Sequence, residues 1–291
     1  MKNIIGKHKQ EVVEQMVRAL AKIDGVEAIV LGGSYARGMA RADSDVDIGI
    51  YYSEKSPPSL AALKELARGF DTGHDCVVTD FYEWGPWVNG GAWINTKVGE
   101  IDWLYRNIDQ VNRVIEDAQH GRFSWDYRQQ PPYGFFSVMY LADISHNIAL
   151  YDPKGICDHL SRSVQEYPEA LRKAIVQEHL WSVEFSMLSA KKFADRDCVY
   201  GTVGCMTRMA AELTQALFAL NRVYFVTEKG AMETIDTFSL KPNGYAQRLN
   251  AILACPGSGQ ELIHSLKKLE DVIREVITLA YPLYQPKYSS L

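Results

Sequence analysis

Apolar residues return every three or four positions between Glu11 and Ile23, at Val12, Val13, Met16, Val17, Leu20 and Ile23, which predicts an opening amphipathic helix that ends at Gly25. The rhythm then shortens. Val26–Leu31 is an apolar, β-branched run that stops at Gly32-Gly33, and Val46–Tyr52 is a second, so two buried strands flank a glycine-containing turn. Helical spacing resumes over Leu60–Phe70, past Pro57-Pro58. Cys76–Tyr82 reads as a strand, and Trp87–Ile94 and Val98–Tyr105 read as a strand pair joined at Asn95-Thr96-Lys97. Beyond Arg106 the pattern is helical over Val111–Gln119, Phe136–Leu150, Leu171–Phe193, Gly204–Asn221, Tyr245–Leu253 and Gln260–Ala280. Gly121, Pro131 and Pro132 interrupt it. The expectation is an α/β (or α+β) domain with a mixed sheet over residues 1–125 and an all-α domain over 126–291.

Composition changes this picture little. A chain of 291 residues, 47% hydrophobic and 23% charged, is globular and too long for one small core. Its net charge of −5 offers no general attraction to a phosphate backbone, so a polynucleotide partner is disfavoured. Cys76, Cys157, Cys198, Cys205 and Cys255 are scattered, odd in number and without a C-x-x-C pair, which fits a reduced cytoplasmic setting. No apolar run approaches the roughly 20 residues that span a bilayer.

The chemistry concentrates in Leu31-Gly32-Gly33-Ser34-Tyr35-Ala36-Arg37-Gly38 and Ser44-Asp45-Val46-Asp47-Ile48-Gly49. Two glycines at a strand end let a phosphate approach backbone N–H groups closely, and Ser34 adds a hydroxyl donor. Most Gly-Gly-Ser turns are only turns, so the acids matter more. Side chains two apart on a strand project from one face about 6.7 Å apart, near enough for Asp45 and Asp47 to share ions. Their mutual repulsion inside an apolar strand needs compensation, and oxygen ligands suit Mg²⁺, which takes substrate phosphates as further ligands. An exposed strand edge is the plainer reading of an isolated Asp-x-Asp.

Taken together, Gly32-Gly33-Ser34, an interval of ten residues, and Asp45-Val46-Asp47-Ile48 resemble the defining motif of the DNA polymerase β-like nucleotidyltransferases. The resemblance implies a third carboxylate on a later strand; Asp102 in Glu100-Ile101-Asp102-Trp103-Leu104 fits that place, with Glu100 as the substitute. It implies two magnesium ions held by Asp45, Asp47 and Asp102, ATP or another nucleoside triphosphate as substrate, and attack of an acceptor hydroxyl on the α-phosphorus with loss of pyrophosphate. Gly32, Gly33 and Ser34 would bind the phosphates. Arg37 would add a contact to them, or instead form an ion pair with Asp43 or Asp45.

The helical half, through Asn221-Arg222-Val223-Tyr224-Phe225 to Glu228-Lys229, is similar to the appended domain of the antibiotic (aminoglycoside-type) nucleotidyltransferases. On that likeness Lys229 is a further candidate for the triphosphate, set against an ordinary solvated lysine. Relatives recruit a helix glutamate as base, for which Glu178, Glu184 and Glu212 are candidates without a secure alignment. Tyr82, Trp84 and Trp87 form either a stacking wall or a hydrophobic cluster, and His146 and His179 look structural. Three readings stay open: transfer of an NMP, AMP foremost, to a small hydroxyl-bearing molecule such as an aminoglycoside-like sugar; transfer to a protein or RNA; and a non-catalytic, antitoxin-like module. A homodimer is compatible with each.

Overall fold

A computed structural model describes residues 5–41, 43–73, 76–254 and 257–288. The chain divides into two units, Met1–Glu116 with Ser124–Glu166, and Asp117–Phe123 with Tyr167–Leu291. In chain order the elements up to residue 166 are α1 (Lys7–Leu20), β1 (Ala28–Leu31), α2 (Gly33–Ala36), β2 (Val46–Tyr52), α3 (Leu60–Phe70), β3 (Val77–Val78), β4 (Gly91–Thr96), β5 (Gly99–Asn107), α4 (Ile108–Gln119), β6 (Trp125–Asp126), β7 (Phe135–Phe136), α5 (Val138–His146), β8 (Ile148–Tyr151) and α6 (Ile156–Ser163).

Among the described residues the first unit holds a six-stranded sheet in the order β3-β4-β5-β2-β1-β8. The β2–β5 pair is parallel, and β1–β2, β1–β8, β4–β5 and β3–β4 are antiparallel. The expected mixed sheet is therefore present. Strand alternation separates its two faces. On one, Ile48, Ile50, Ile94, Ile101, Trp103 and Tyr105 form a core with Val12, Val13, Met16 and Leu20 of α1 and Leu63 and Ala67 of α3. Burial of each large aliphatic side chain there contributes roughly 1.5–3 kcal/mol, which fixes both helices to that face. Ser59 caps α3 by accepting from the Ala62 N–H. The opposite face carries Asp47, Gly49 and Tyr51 of β2 beside Asp102, Leu104 and Arg106 of β5.

Two sequence expectations need correction. The apolar run from Phe136 to Leu150 is not one helix: α5 ends at His146, Asn147 leaves helical geometry at φ −59°, ψ 142°, and β8 pairs with β1. A four-residue strand at the end of a helical apolar run adds too little period-two signal to be seen alone. The strand expected over Cys76–Tyr82 is confined to Val77–Val78, because the chain turns from Phe81 onward and Tyr82 takes a positive φ of 62°.

In the second unit the elements are α7 (Glu169–Ala194), α8 (Val199–Leu220), α9 (Ala231–Asp236), α10 (Tyr245–Leu253) and α11 (Gln260–Ala280). α7 and α8 pack on each other through Leu180, Val183, Met187, Met206, Met209 and Leu213, all buried. Cys76, Cys157, Cys198 and Cys205 are outside disulfides, and Cys255 lies outside the described residues. No described helix is long and apolar enough to cross a membrane.

Candidate active site

The first unit brings its predicted site residues to one end of β1, β2 and β5. Gly32 closes β1 by donating its N–H to Asp47 O at 2.9 Å, and Gly33 opens the short α2 with φ +59°. A Cβ on Gly33 would stand 1.6 Å from Asp47 Oδ2. Only glycine lets the carboxylate of Asp47 lie against this turn. Ser34 follows in α2, half-buried. Arg37 donates Nε to Gly33 O at 3.3 Å and lowers the pKa of Asp47 through its charge.

Asp47 and Asp102 occupy directly paired positions of the parallel strands β2 and β5, where neighbouring strands run about 4.8 Å apart. Asp102, rather than Glu100, is thus the acid standing beside Asp47. Asp45 lies one residue ahead of β2 and is exposed. Lys9 steadies the approach to it, donating to Ser44 O at 2.9 Å and Tyr35 Oη at 3.2 Å.

Crowded acids resist ionisation. Asp47 is pushed up to about 6, by burial first and then by Asp143 and Asp45, against the pull of Arg106 and Arg37. Asp102 is pushed up to about 7 by burial, then by Asp47, Asp45 and Glu100. Its Oδ1 is buried without a hydrogen-bond partner. Repelling carboxylates, a withdrawn oxygen with no protein donor, and glycine backbone where a side chain would stand are features that could accept an added cation. Among the described residues no three acidic, His or Cys side chains close around an ion by themselves.

Five residues the sequence reading did not single out join this face. Arg106 of β5 donates Nε and Nη2 to Asp143 Oδ2 of α5 at 3.0 and 2.9 Å and lies over the Tyr140 ring at 5.5 Å. Asn147, just past α5, donates Nδ2 to Tyr51 Oη at 3.1 Å. The usable signal was strand alternation, which puts Tyr51 and Arg106 on the face of Asp47 and Asp102; nothing in the sequence brings α5 to them.

The other candidates are carried by other elements. Lys229 belongs to the second unit, exposed, one residue before the left-handed Gly230 that precedes α9. Glu178 is exposed on α7. Glu184 and Glu212 are buried and occupied: Glu184 accepts from Tyr284 Oη and from the Lys287 and Tyr288 N–H groups, and Glu212 from Ser182 Oγ while pairing with His179. Trp84 stacks on Trp93 and Trp87 on Phe135, while Tyr82 and Trp93 are exposed.

Residues 13–73 match the nucleotidyltransferase domain family, and residues 136–229 match a domain of unknown function, DUF4037. No curated protein matches the chain. Among solved structures it is similar to the crystal structure of a nucleotidyltransferase-like protein from Exiguobacterium sibiricum 255-15, with a TM-score of 0.48 and 10% identity over 93% of this chain and 78% of that one. The first match contains the glycine turn, Asp45 and Asp47. It assigns the chain a nucleotidyltransferase domain, and with it an enzyme of the nucleotidyltransferase class, for which a nucleoside triphosphate is the implied substrate.

Proposed function

We propose that this chain moves a nucleoside monophosphate, AMP from ATP foremost, onto a hydroxyl of a small molecule. The observation that carries the reading is the in-register pairing of Asp47 with Asp102, both acids held above their ordinary range with no cation from the protein beside them to neutralise them fully. Asp45, Asp47 and Asp102 would hold two magnesium ions, which when bound neutralise the acids and the triphosphate and stabilise charge on the attacking and leaving oxygens. The glycines at 32 and 33 let the triphosphate approach the backbone, Ser34 donates its hydroxyl, and Arg37 adds a charge-assisted contact. The carboxylate of Asp102 accepts the proton of the acceptor hydroxyl. That oxygen then bonds to the α-phosphorus as the bond to the bridging oxygen breaks and pyrophosphate departs. The net charge of −5 favours a cationic acceptor, such as an aminoglycoside-like sugar, over RNA, and the scattered, odd-numbered cysteines accord with work in the cytoplasm. Lys229 is a secondary candidate for the triphosphate.

The test incubates the protein and its Asp47→Asn variant with Mg²⁺ and α-labelled ATP, CTP, GTP and UTP against aminoglycosides, lincosamides, RNA and cell proteins. Label should move to an acceptor with the unaltered chain and not with the variant. Equal turnover by both would remove the assignment of Asp47; label on RNA or protein alone would remove the small-molecule acceptor.

A further inference from the structure

The row of residues that holds the acids continues past them across the sheet. Gly32 at the end of β1 donates to Asp47 O of β2, Asp47 pairs with Asp102 of β5, Asp102 with Trp93 of β4, and Trp93 with Val77 of β3. Residues paired across antiparallel strands send their side chains to one face, about 4.5–5.5 Å apart. Ala92 and Ile94, on either side of Trp93, point the other way, into the core with α1 and α3. Trp93 therefore stands beside Asp102 on the face of the acids, on the side away from the glycine turn. This end of the row is open: Trp93 is 48% exposed and Val77 47% exposed, so a ring has room to lie there. Trp84 stacks on the Trp93 indole with centroids 4.8 Å apart and planes at 26°, and is itself held by its N–H on Asn89 O at 2.9 Å. The loop thus fixes the indole from behind and leaves nearly half of it to solvent.

We infer that Trp93, backed by Trp84, is the platform on which the acceptor lies, and that it takes a ring bearing an ammonium group, an amino sugar in chemical class. The inference rests on the nucleotidyl-transfer reading and gives its acceptor a place. Position carries the assignment. The triphosphate is held at the β1 end of the row, and strands lie about 4.8 Å apart, so Trp93 is two strands beyond Asp47 and one beyond Asp102. Asp102 is the carboxylate that takes the acceptor's proton, so a hydroxyl at Asp102 and a ring on Trp93 belong to one molecule. Charge sets the class. Glu100 is exposed on the same face, two residues before Asp102, and Arg106, further along β5, is engaged by Asp143. The charge offered to a ligand on Trp93 is thus negative, and an indole draws cations to its face more strongly than other aromatic rings do. Covering the exposed indole with the body of the ring adds an apolar contribution that a phosphate could not make.

Two variants test it. Trp93→Thr removes the indole and keeps a strand former at an exposed position; Trp93→Tyr keeps an aromatic face. Calorimetry with Mg²⁺ first measures the non-hydrolysable α,β-methylene ATP, then titrates kanamycin, a set of linked rings bearing ammonium groups, into the loaded protein, with maltotriose as the neutral counterpart. The unaltered chain should bind kanamycin about tenfold or more tightly than maltotriose. Trp93→Thr should lose about tenfold or more in kanamycin affinity with its affinity for the nucleotide analogue unchanged, which also shows that the variant is folded, and Trp93→Tyr should recover most of the loss. Weaker analogue binding by Trp93→Thr with kanamycin binding intact gives the platform to the base of the nucleotide and overturns the inference. So does kanamycin binding that is the same in Trp93→Thr, no tighter than that of maltotriose, or absent from the loaded, unaltered chain. Each of these leaves the nucleotide reading standing. Absence of any nucleotide binding by the unaltered chain removes both.

Discussion

Glu184 and Glu212 in the second unit and Asp47 and Asp102 in the first are all carboxylates drawn away from solvent, but the protein answers only the first two. Glu184 is fully buried and receives the Tyr284 hydroxyl at 2.7 Å and two backbone N–H groups at 2.9 Å. Glu212, 2% exposed, is met by His179, by Ser182 at 2.9 Å and by Arg208 at 3.8 Å. The charged neighbours of Asp102 are all acids, and Asp47 has Asp143 and Asp45 set against Arg106 and Arg37, which leave it raised. A withdrawn charge is costly unless donors surround it. Where they do, the acid is part of the scaffold. Where they do not, a bound cation supplies the positive charge in the proposed function.

This contrast breaks most visibly at Glu212. Glu212→Ala leaves His179 and Ser182 without their carboxylate inside the helical core and is expected to lower stability by about 3–5 kcal/mol, read as a shift of the denaturation midpoint. A loss below about 1 kcal/mol would show that this acid is not answered in the way described. The same truncation at Asp102 should cost the fold little.

The second prediction concerns how Asp47 is seated. In Gly33→Ala the new Cβ would meet Asp47 Oδ2 at 1.6 Å on a residue with φ +59°, so the carboxylate or the turn must move. A displacement of this order is expected to lower nucleotidyl transfer by about a hundredfold or more, with a stability loss of roughly 1–3 kcal/mol from backbone strain. Steady-state kinetics beside denaturation separates the two, since Gly38→Ala, also at positive φ of 69° but with nothing within 4 Å, carries the strain without the collision. If both variants retained transfer equally, Gly33 would be only a turn residue.

Much of this was legible in the sequence. The glycine turn, the Asp45-Val46-Asp47 step and the strand over Val98–Tyr105 are local patterns, and their joint meaning came from the resemblance to the polymerase β-like motif. The resemblance implied a third carboxylate on a later strand, with Asp102 foremost and Glu100 as the substitute, and the register puts Asp102 opposite Asp47. What was hidden depends on the return of the chain: Arg106 and Asp143 are 37 positions apart, and Asp143 reads as an ordinary helix residue until α5 lies on the sheet. Glu184 and Glu212 were hidden for the converse reason. A helix glutamate is usually solvated, and the donors that answer Glu184 come from about a hundred residues later, at Tyr284 to Tyr288.

The smallest expected effect sharpens the comparison through pH. In metal-free protein Asp47 keeps its proton to about 6 and Asp102 to about 7, whereas the unfolded chain releases both near 4. Between these values the folded state binds more protons than the unfolded one, so raising the pH favours unfolding, and stability present below pH 4 is lost by about pH 7. Both side chains are half-buried, which reduces the loss to about 2 kcal/mol. Subtracting the profile of Asp102→Asn removes the contribution of unrelated groups. With chelator present, the variant should gain on the unaltered protein as pH rises from 4 to 7; with saturating Mg²⁺ the order should reverse, because the ion is gripped by carboxylates that the variant has lost. A difference that does not change with pH would mean that the two acids do not burden the fold, and that the contrast with Glu184 and Glu212 is one of position and not of charge left unanswered.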